Sequence, residues 1–437
     1  MQHKFFKVFT LVAVTLAAAN LSLGQPLAVN PDHTNGIYQV GETVHWQVEW
    51  KGDSNPPPAT HYRLLKGELT EAGQGDLTFS NGVSGLESTF DAPGAMLVEV
   101  KGRTEAGKEL RATGGAVAAP DRIALSSPRP PDFDAFWQAK LEELGRVPAN
   151  PKLESVDIGR TNLSYWKITM DNIRGTQIHG QLARPARDGK FPALLIVQWA
   201  GVYPLQRSWV TDRAAEGWLV LNIEAHDLPL DQPESFYKDQ FAGPLKDYWA
   251  IGNDNRDTSY FLRMYLSGYR AVEYLTQRPD WNGKTLAVMG DSQGGQQTLM
   301  IAGLHPEKIT AALALVPAGC DMLGPDAGRK GGWPQWYDWT TGKDAQKVHE
   351  ASRYYDTANF APHIQCPVLV GLGLIDETCP PAGVLATVNQ IHSHKEVVIL
   401  PMSGHQDNHG TQALYNQRRY SAWLPALRQG KPAPVRQ

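Results

Sequence analysis

The chain has few cysteines, no apolar run long enough to cross a bilayer and little net charge, and each shortage excludes a class of protein. Its 437 residues include only 3 cysteines, which are Cys320, Cys366 and Cys379. An odd number at wide spacing is not a disulfide framework, and the spacing does not match that of zinc ligands. The fold must therefore be stabilised by its core.

The charge balance of the chain limits the kinds of binding partner that we expect. The formal net charge of -4 gives no broad attraction to nucleic acid or to an anionic membrane. We therefore expect no nucleic-acid partner, and no membrane partner for the mature form. A small-molecule or oligosaccharide substrate fits this balance.

The N-terminus has the pattern of a secretory signal peptide. Lys4 and Lys7 precede the apolar run Val8–Ala19, and Gly24 ends a short stretch of small residues that a signal peptidase reads. We predict that residues 1–24 are removed, that the mature chain begins near Gln25, and that it is secreted or periplasmic. The alternative is an N-terminal membrane anchor, but the run is shorter than the ~20 residues that span a bilayer.

Residues 25–125 predict a small β domain. Val44, Trp46, Val48 and Trp50 alternate with polar residues, which is the period of a half-buried strand. Several such runs separated by turn formers favour a β-sandwich, with an immunoglobulin-like fold as one candidate. A proline-rich link at residues 127–131 closes this domain.

Residues 126–430 predict an α/β domain, because apolar strands alternate with helical patterns. Near-continuous apolar runs are typical of parallel strands that are buried on both faces. The runs are Ala193–Trp199, Leu219–Ile223, Leu286–Met289, Ala312–Val316, Val368–Leu372 and Val397–Leu400. The expected fold class is α/β, with the mostly parallel, doubly covered sheet of an α/β-hydrolase.

One motif points to chemistry. Gly290-Asp291-Ser292-Gln293-Gly294 is a G-x-S-x-G sequence between a predicted strand and a predicted helix, which is the context that a nucleophile elbow needs. The sharp turn exposes the serine oxygen and places the next backbone N–H at a helix N-terminus. An ordinary serine in a strand–helix turn is the alternative.

A serine needs a base and an orienting acid, and in this fold they follow in the order Ser, acid, His. Asp376 follows the predicted strand that begins at Val368, and Glu377 is a rival acid. His405 lies on the loop after the last predicted strand. Turn or loop positions without a catalytic role are the alternatives. We predict the triad Ser292, Asp376 and His405.

The backbone N–H groups of Gln293 and of Val202 are the predicted oxyanion donors, with Tyr203 as runner-up to Val202. Val202 lies in the loop Trp199–Tyr203, called the oxyanion loop below. His405 and His409 have H-x-x-x-H spacing, but no glutamate lies between them and one histidine is already needed as base. We therefore expect neither a catalytic metal nor a cofactor.

Several segments resemble the acetyl xylan esterase/cephalosporin C deacetylase family, carbohydrate esterase family seven. The residues that carry the resemblance are the elbow Gly290–Gly295, Pro131–Trp137, Tyr269–Glu273, Val316-Pro317 with Cys320, and Leu374–Pro381. The resemblance covers about residues 130–427. It implies an α/β-hydrolase fold, the same triad, and removal of acetyl groups from acetylated sugars or small esters. It also leaves a homo-oligomer open, since many relatives assemble as hexamers.

The chain departs from the family pattern at three places. Asn222–Asp227 stands where the family carries an R-G-Q motif, Gln406 follows the histidine instead of Glu, and Val202 follows the oxyanion-loop glycine in place of an aromatic residue. These departures leave the triad intact and bear on substrate identity.

Two long aromatic stretches, residues 228–258 and 324–351, are predicted to cover the site. We predict substrate contacts at Tyr203, Trp333 and Trp336, where rings can stack on sugars; packing of the lid is the alternative reading of these aromatics. The predicted reaction is removal of acetyl groups from acetylated xylan or xylo-oligosaccharides through an acyl-enzyme. A serine peptidase on the same fold and a non-catalytic glycan-binding protein are the alternatives.

Overall fold

The structure is a computed structural model that describes residues 26–52, 55–57 and 59–436. The predicted signal peptide, residues 1–24, lies outside the described residues, as does Gln25. In the described part of the chain, no helix is both long and apolar enough to cross a membrane.

Residues 27–118, called the β region below, form two sheets that share one core. The strands are β1 (Leu27–Pro31), β2 (Ile37–Tyr38), β3 (Thr43–Trp50), β4 (Thr60–Lys66), β5 (Thr70–Asp76), β6 (Val83–Thr89), β7 (Gly94–Arg103) and β8 (Glu109–Ala118). One sheet has the order β1-β3-β6 and the other β2-β8-β7-β4-β5. Val44, Trp46 and Val48 are at most 2% exposed, as their alternation predicts. Leu97 and Val98 are both buried, so the larger sheet is covered on both faces.

The rest of the chain, called the α/β region, carries a nine-stranded sheet. Its strands are β9 (Lys152–Ser155), β10 (Leu163–Asp171), β11 (Gln177–Pro185), β12 (Phe191–Ile196), β13 (Leu219–Ile223), β14 (Trp281–Asp291), β15 (Ala311–Leu315), β16 (Val368–Gly373) and β17 (Lys395–Leu400). The order is β17-β16-β15-β14-β12-β13-β11-β10-β9. Strands β12 to β17 are parallel, whereas β9, β10 and β11 pair antiparallel with their neighbours.

Helices cover both faces of this sheet. They are α1 (Phe133–Gly145), α2 (Ser208–Glu216), α3 (Glu234–Ala242), α4 (Tyr260–Gln277), α5 (Gln293–Leu304), α6 (Ala345–Ser352), α7 (Pro381–Asn389), α8 (Ala413–Gln417) and α9 (Leu424–Arg428), with a π-helical turn at Arg418–Trp423. Phe261, Leu299 and Val384 of α4, α5 and α7 belong to the core on one face. Val210 of α2 and Leu424 of α9 belong to the core on the other. The predicted fold class, a doubly covered, mostly parallel sheet preceded by β-sheets, is confirmed.

The two predicted lid stretches are only partly loops. Residues 228–258 contain α3, and residues 324–351 contain most of α6. Each stretch also carries an aromatic ring that is fully buried, Tyr248 in the first and Trp336 in the second. The stretches are therefore packed elements rather than free loops.

Candidate active site

The turn that carries Ser292 is sharp. Ser292 lies between the end of β14 and the start of α5 with φ 57° and ψ -120°, a conformation that non-glycine residues rarely adopt. The glycines around it are needed for space: a Cβ at Gly290 would lie 2.6 Å from the backbone carbon of Gly294, and one at Gly294 would lie 2.6 Å from the Val197 carbonyl. The turn therefore holds the serine hydroxyl at the carboxyl edge of the sheet.

The predicted triad residues meet at this edge. The Nε2 atom of His405 lies 2.9 Å from the Ser292 Oγ. Its Nδ1 atom lies 2.9 Å from Oδ2 and 3.2 Å from Oδ1 of Asp376. Because a carboxylate only accepts, Nδ1 carries the proton and Nε2 is free to accept the serine hydroxyl proton.

Asp376 is fixed from the other side. It is completely buried, and its Oδ1 accepts the backbone N–H groups of Thr378 and Cys379, each at 2.9 Å. These two bonds fix the orientation of the carboxylate towards His405. The side chain of His405 is 15% exposed, whereas that of Asp376 is 0% exposed, so the imidazole is accessible and the carboxylate is not.

The rival acid points elsewhere. Both carboxylate oxygens of Glu377 accept from Nη2 of Arg111 in β8, at 2.8 and 2.7 Å. The Glu377 carbonyl accepts from Lys330 Nζ at 2.6 Å. Glu377 therefore joins residues 374–380, called the acid loop below, to the β region. The structure brings Asp376, not Glu377, to His405.

The predicted oxyanion loop runs past the first turn of α5. The amide of Gln293 is the first in that helix, so it has no carbonyl partner one turn back. The Gly201 amide is engaged, since it donates to Tyr248 Oη at 3.2 Å. The next amide, that of Val202, donates to no other residue in the described ranges. Val202 itself is 7% exposed.

Sequence reasoning missed two side chains that hold this loop. Tyr248 Oη accepts from the Gly201 amide and donates to Gln293 Oε1 at 2.5 Å, which ties the loop to the helix. The His226 Nε2 lies 2.9 Å from the Gly201 carbonyl, and its Nδ1 lies 2.6 Å from Tyr260 Oη. A carbonyl only accepts, so Nε2 carries the proton and Nδ1 accepts from the phenol.

The electrostatics agree with a neutral imidazole at this place. Burial lowers the pKa of His226 to about 4, because no water compensates its charged form. His226 belongs to the segment that replaces the R-G-Q motif. A polar residue just beyond the carboxyl end of β13 was the one signal in the sequence that could have identified it.

The three predicted substrate contacts, Tyr203, Trp333 and Trp336, differ from one another in position and exposure. Tyr203 stacks on Trp199 with ring centroids 5.1 Å apart, and its Oη lies within hydrogen-bond distance of Gln198 and of the Trp199 carbonyl. Trp199 is 43% exposed beside the elbow. Trp333 is half-buried, and its amide donates to the Thr378 carbonyl at 2.8 Å, next to the acid loop.

Trp336 requires a correction. Its side chain is 0% exposed, and its Nε1 donates to the Trp249 carbonyl at 2.6 Å. Its ring contacts Phe261 and Tyr355 in the core. A ring with no exposed surface cannot stack on a sugar, so Trp336 packs the lid against the sheet, which was the alternative reading of these aromatics.

The described residues include one group with the geometry of metal ligands. Ligand atoms of Asp376, Cys379 and His405 all lie within 4.8 Å of one another. The triad hydrogen bonds already use Asp376 and His405. Burial raises the pKa of the Cys379 thiol well above its ordinary value, which disfavours the thiolate that a metal binds. The cluster therefore fits a hydrogen-bonded triad better than a metal centre.

Comparison with known proteins decides the family. The family model for acetyl xylan esterase (AXE1) matches residues 124–424. The chain belongs to the acetyl xylan esterase family. Acetyl esterase Axe7A of Xylanibacter ruminicola is 30% identical over 400 residues, 89% of each chain. As a member of this family, the chain is a serine carboxylic ester hydrolase.

Solved structures of other members of the family share the fold. Acetyl xylan esterase 1 from Thermoanaerobacterium sp. JW/SL YS485 has a TM-score of 0.59 and 24% identity, and covers 68% of this chain and 96% of its own. An acetyl xylan esterase from Paenibacillus sp. R4 has a TM-score of 0.60 and 22% identity over the same shares. These similarities support the α/β-hydrolase architecture.

Proposed function

We propose that this member of the acetyl xylan esterase family removes acetyl groups from acetylated xylan, xylo-oligosaccharides or similar small acetyl esters through an acyl-enzyme. The observation that carries the proposal is the unbroken hydrogen-bonded line from Ser292 Oγ through His405 to the buried Asp376. The names of the relatives, an acetyl esterase and two acetyl xylan esterases, support the choice of acyl group.

The reaction follows from the geometry. Ser292 Oγ attacks the acetyl carbonyl while His405 Nε2 accepts its proton, and a C–O bond to the serine forms. The amides of Gln293 and Val202 stabilise the oxyanion. The ester C–O bond then breaks, and the sugar alcohol leaves with the proton from His405. Water attacks the acetyl-enzyme by the same steps in reverse and releases acetate.

The test is Ser292→Ala against Ser84→Ala, a half-exposed serine of β6. With p-nitrophenyl acetate, Ser292→Ala loses turnover by a factor on the order of 10⁴ or more, while Ser84→Ala retains it. Far-UV circular dichroism checks that both variants fold. A Ser292→Ala variant with near wild-type turnover would overturn the assignment of Ser292 as the nucleophile of the triad. Hydrolysis of short peptides in preference to acetates would favour a peptidase.

We further propose that the protein is secreted or periplasmic, because its N-terminal 24 residues have the signal-peptide pattern. Expression of the full chain with N-terminal sequencing of the exported protein tests this. A mature chain that starts near Gln25 supports the proposal, and recovery of an intact N-terminus only in the membrane fraction contradicts it.

A further inference from the structure

A groove lies between the β region and the loops that carry the catalytic acid and base. Its volume is about 700 Å³, within the range of ligand-binding clefts. One wall consists of residues 27–29 of β1, Lys51 and residues 111–113 of β8. The other wall consists of residues of the acid loop and of the loop after β17, residues 401–412, including His405 itself. The groove therefore reaches the catalytic base.

The β8 strand explains why the groove opens where it does. Leu110 and Ala112 point into the core of the β region, so Arg111 and Thr113 face the opposite side. Arg111 Nη2 donates a hydrogen bond to the carboxylate of Glu377 in the acid loop. Gly115, next on this face, is so close to the α/β region that a Cβ there would lie 2.1 Å from the Leu374 carbonyl. Thr113 lies between these two anchors and borders the groove.

The lining is polar without excess charge. Lys51 pairs with Glu49 at 2.8 Å, and Arg111 pairs with Glu377 at 2.7 Å, so both cations on the β wall are already neutralised. Hydroxyl and amide side chains supply the remaining polar surface. They are Thr113, Thr378, Gln406, Asn408 and Thr411, with the imidazoles of His405 and His409 beside them. Such a surface suits hydroxyl-bearing neutral ligands better than anions.

We propose that this groove binds the neutral sugar chain that bears the acetyl ester, with the β region supplying one wall. The inference rests on the proposed esterase function. The leaving sugar oxygen must lie within hydrogen-bond reach of His405 Nε2 to receive its proton, so the sugar chain is held beside that histidine. The groove at His405 then contacts further sugars of a longer chain. The β region is thus a specificity element for chain length.

The experiment compares acetylated xylose with acetylated xylo-oligosaccharides of increasing length. Thr113→Trp fills the groove from the β wall, and Lys51→Trp does so from an exposed position that does not threaten folding. Thr89→Trp is the matched control, since Thr89 is exposed on β6 away from the groove. The measured quantity is the ratio of kcat/KM for the long substrate to kcat/KM for acetylated xylose.

Wild type and Thr89→Trp are expected to favour the long substrates, and both groove variants to lose this preference by about tenfold, the size of one lost subsite contact. An unchanged ratio in Thr113→Trp and Lys51→Trp, or no length preference in the wild type, would overturn the proposal that this groove binds the sugar chain. Failure of the proposed function looks different: acetate release would then be absent, or independent of Ser292, for every substrate.

Discussion

Two neighbouring carboxylates at the end of β16 have different partners, and the difference predicts their roles. Asp376 is buried against His405, whereas Glu377 is paired with Arg111. Asp376→Asn removes the charge that orients and stabilises the imidazole, so turnover of p-nitrophenyl acetate should fall on the order of 10⁴-fold. Glu377→Gln should retain most of the turnover. A comparable loss in the two variants would make Glu377 the acid after all.

His226 predicts an acid-sensitive fold. Its pKa lies at about 4 in the folded chain against an ordinary value of 6.5. As the pH falls from 6.5 towards 4, the unfolded chain binds a proton that the folded chain does not, so the free energy of unfolding decreases. The free energy of unfolding should fall by about 3 kcal/mol in total once the pH is below both pKa values.

The matched variant separates this effect from other titrations. His226→Gln keeps a donor for the Gly201 carbonyl but does not titrate, so its urea midpoint should depend less on pH between 6.5 and 4 than that of the wild type. His392→Gln, at an exposed histidine, should follow the wild type. Equal pH slopes for His226→Gln and the wild type would show that the buried imidazole does not govern acid stability.

At the scale of the elements, the phenol of Tyr248 joins the oxyanion loop to α5. Tyr248 Oη bridges the Gly201 amide and the Gln293 side chain. Tyr248→Phe should leave the ring packing intact but remove the hydrogen bonds of the phenol to the Gly201 amide and to Gln293, so the loop is held only on its His226 side. We therefore expect kcat for an acetate ester to fall about tenfold or more. KM should change less, because the lost contact positions oxyanion donors rather than the ground-state ester. Tyr337→Phe, at a partly exposed tyrosine of the second lid stretch, is the control.

The elements that position the triad were largely predictable from the sequence. Runs of apolar residues located β13 at its observed bounds and β12, β15, β16 and β17 to within a few residues, because strands buried on both faces leave an unbroken hydrophobic signal. The three antiparallel strands β9, β10 and β11 were missed. All four residues of β9 are exposed, and β10 alternates buried and half-buried residues, so neither carries an unbroken hydrophobic run. The hydrogen bonds that Tyr248 and His226 make to Gly201 were missed because both side chains come from distant segments of the chain.

At the scale of the whole molecule, the β region lies against the end of β16, just before Asp376, the proposed catalytic acid. Gly115 contacts Leu374, two residues from Asp376, and the Arg111–Glu377 pair lies on the other side of that aspartate. This arrangement predicts that the β region affects catalysis through packing as well as through substrate contacts.

Gly115→Ala tests the packing directly. Its Cβ would lie 2.1 Å from the Leu374 carbonyl, so the two regions must move apart or the acid loop must shift. Overpacking of this kind costs about 1–3 kcal/mol, and a displaced Asp376 would lower kcat for a small acetate. Gly94→Ala is the matched control in a strand of the same sheet, because its Cβ would meet nothing within 4 Å. The midpoint temperature of thermal unfolding and the turnover of the acetate ester should both fall for Gly115→Ala. Neither should fall for Gly94→Ala. If Gly115→Ala kept both properties of the wild type, the β region would not support the acid loop at this contact.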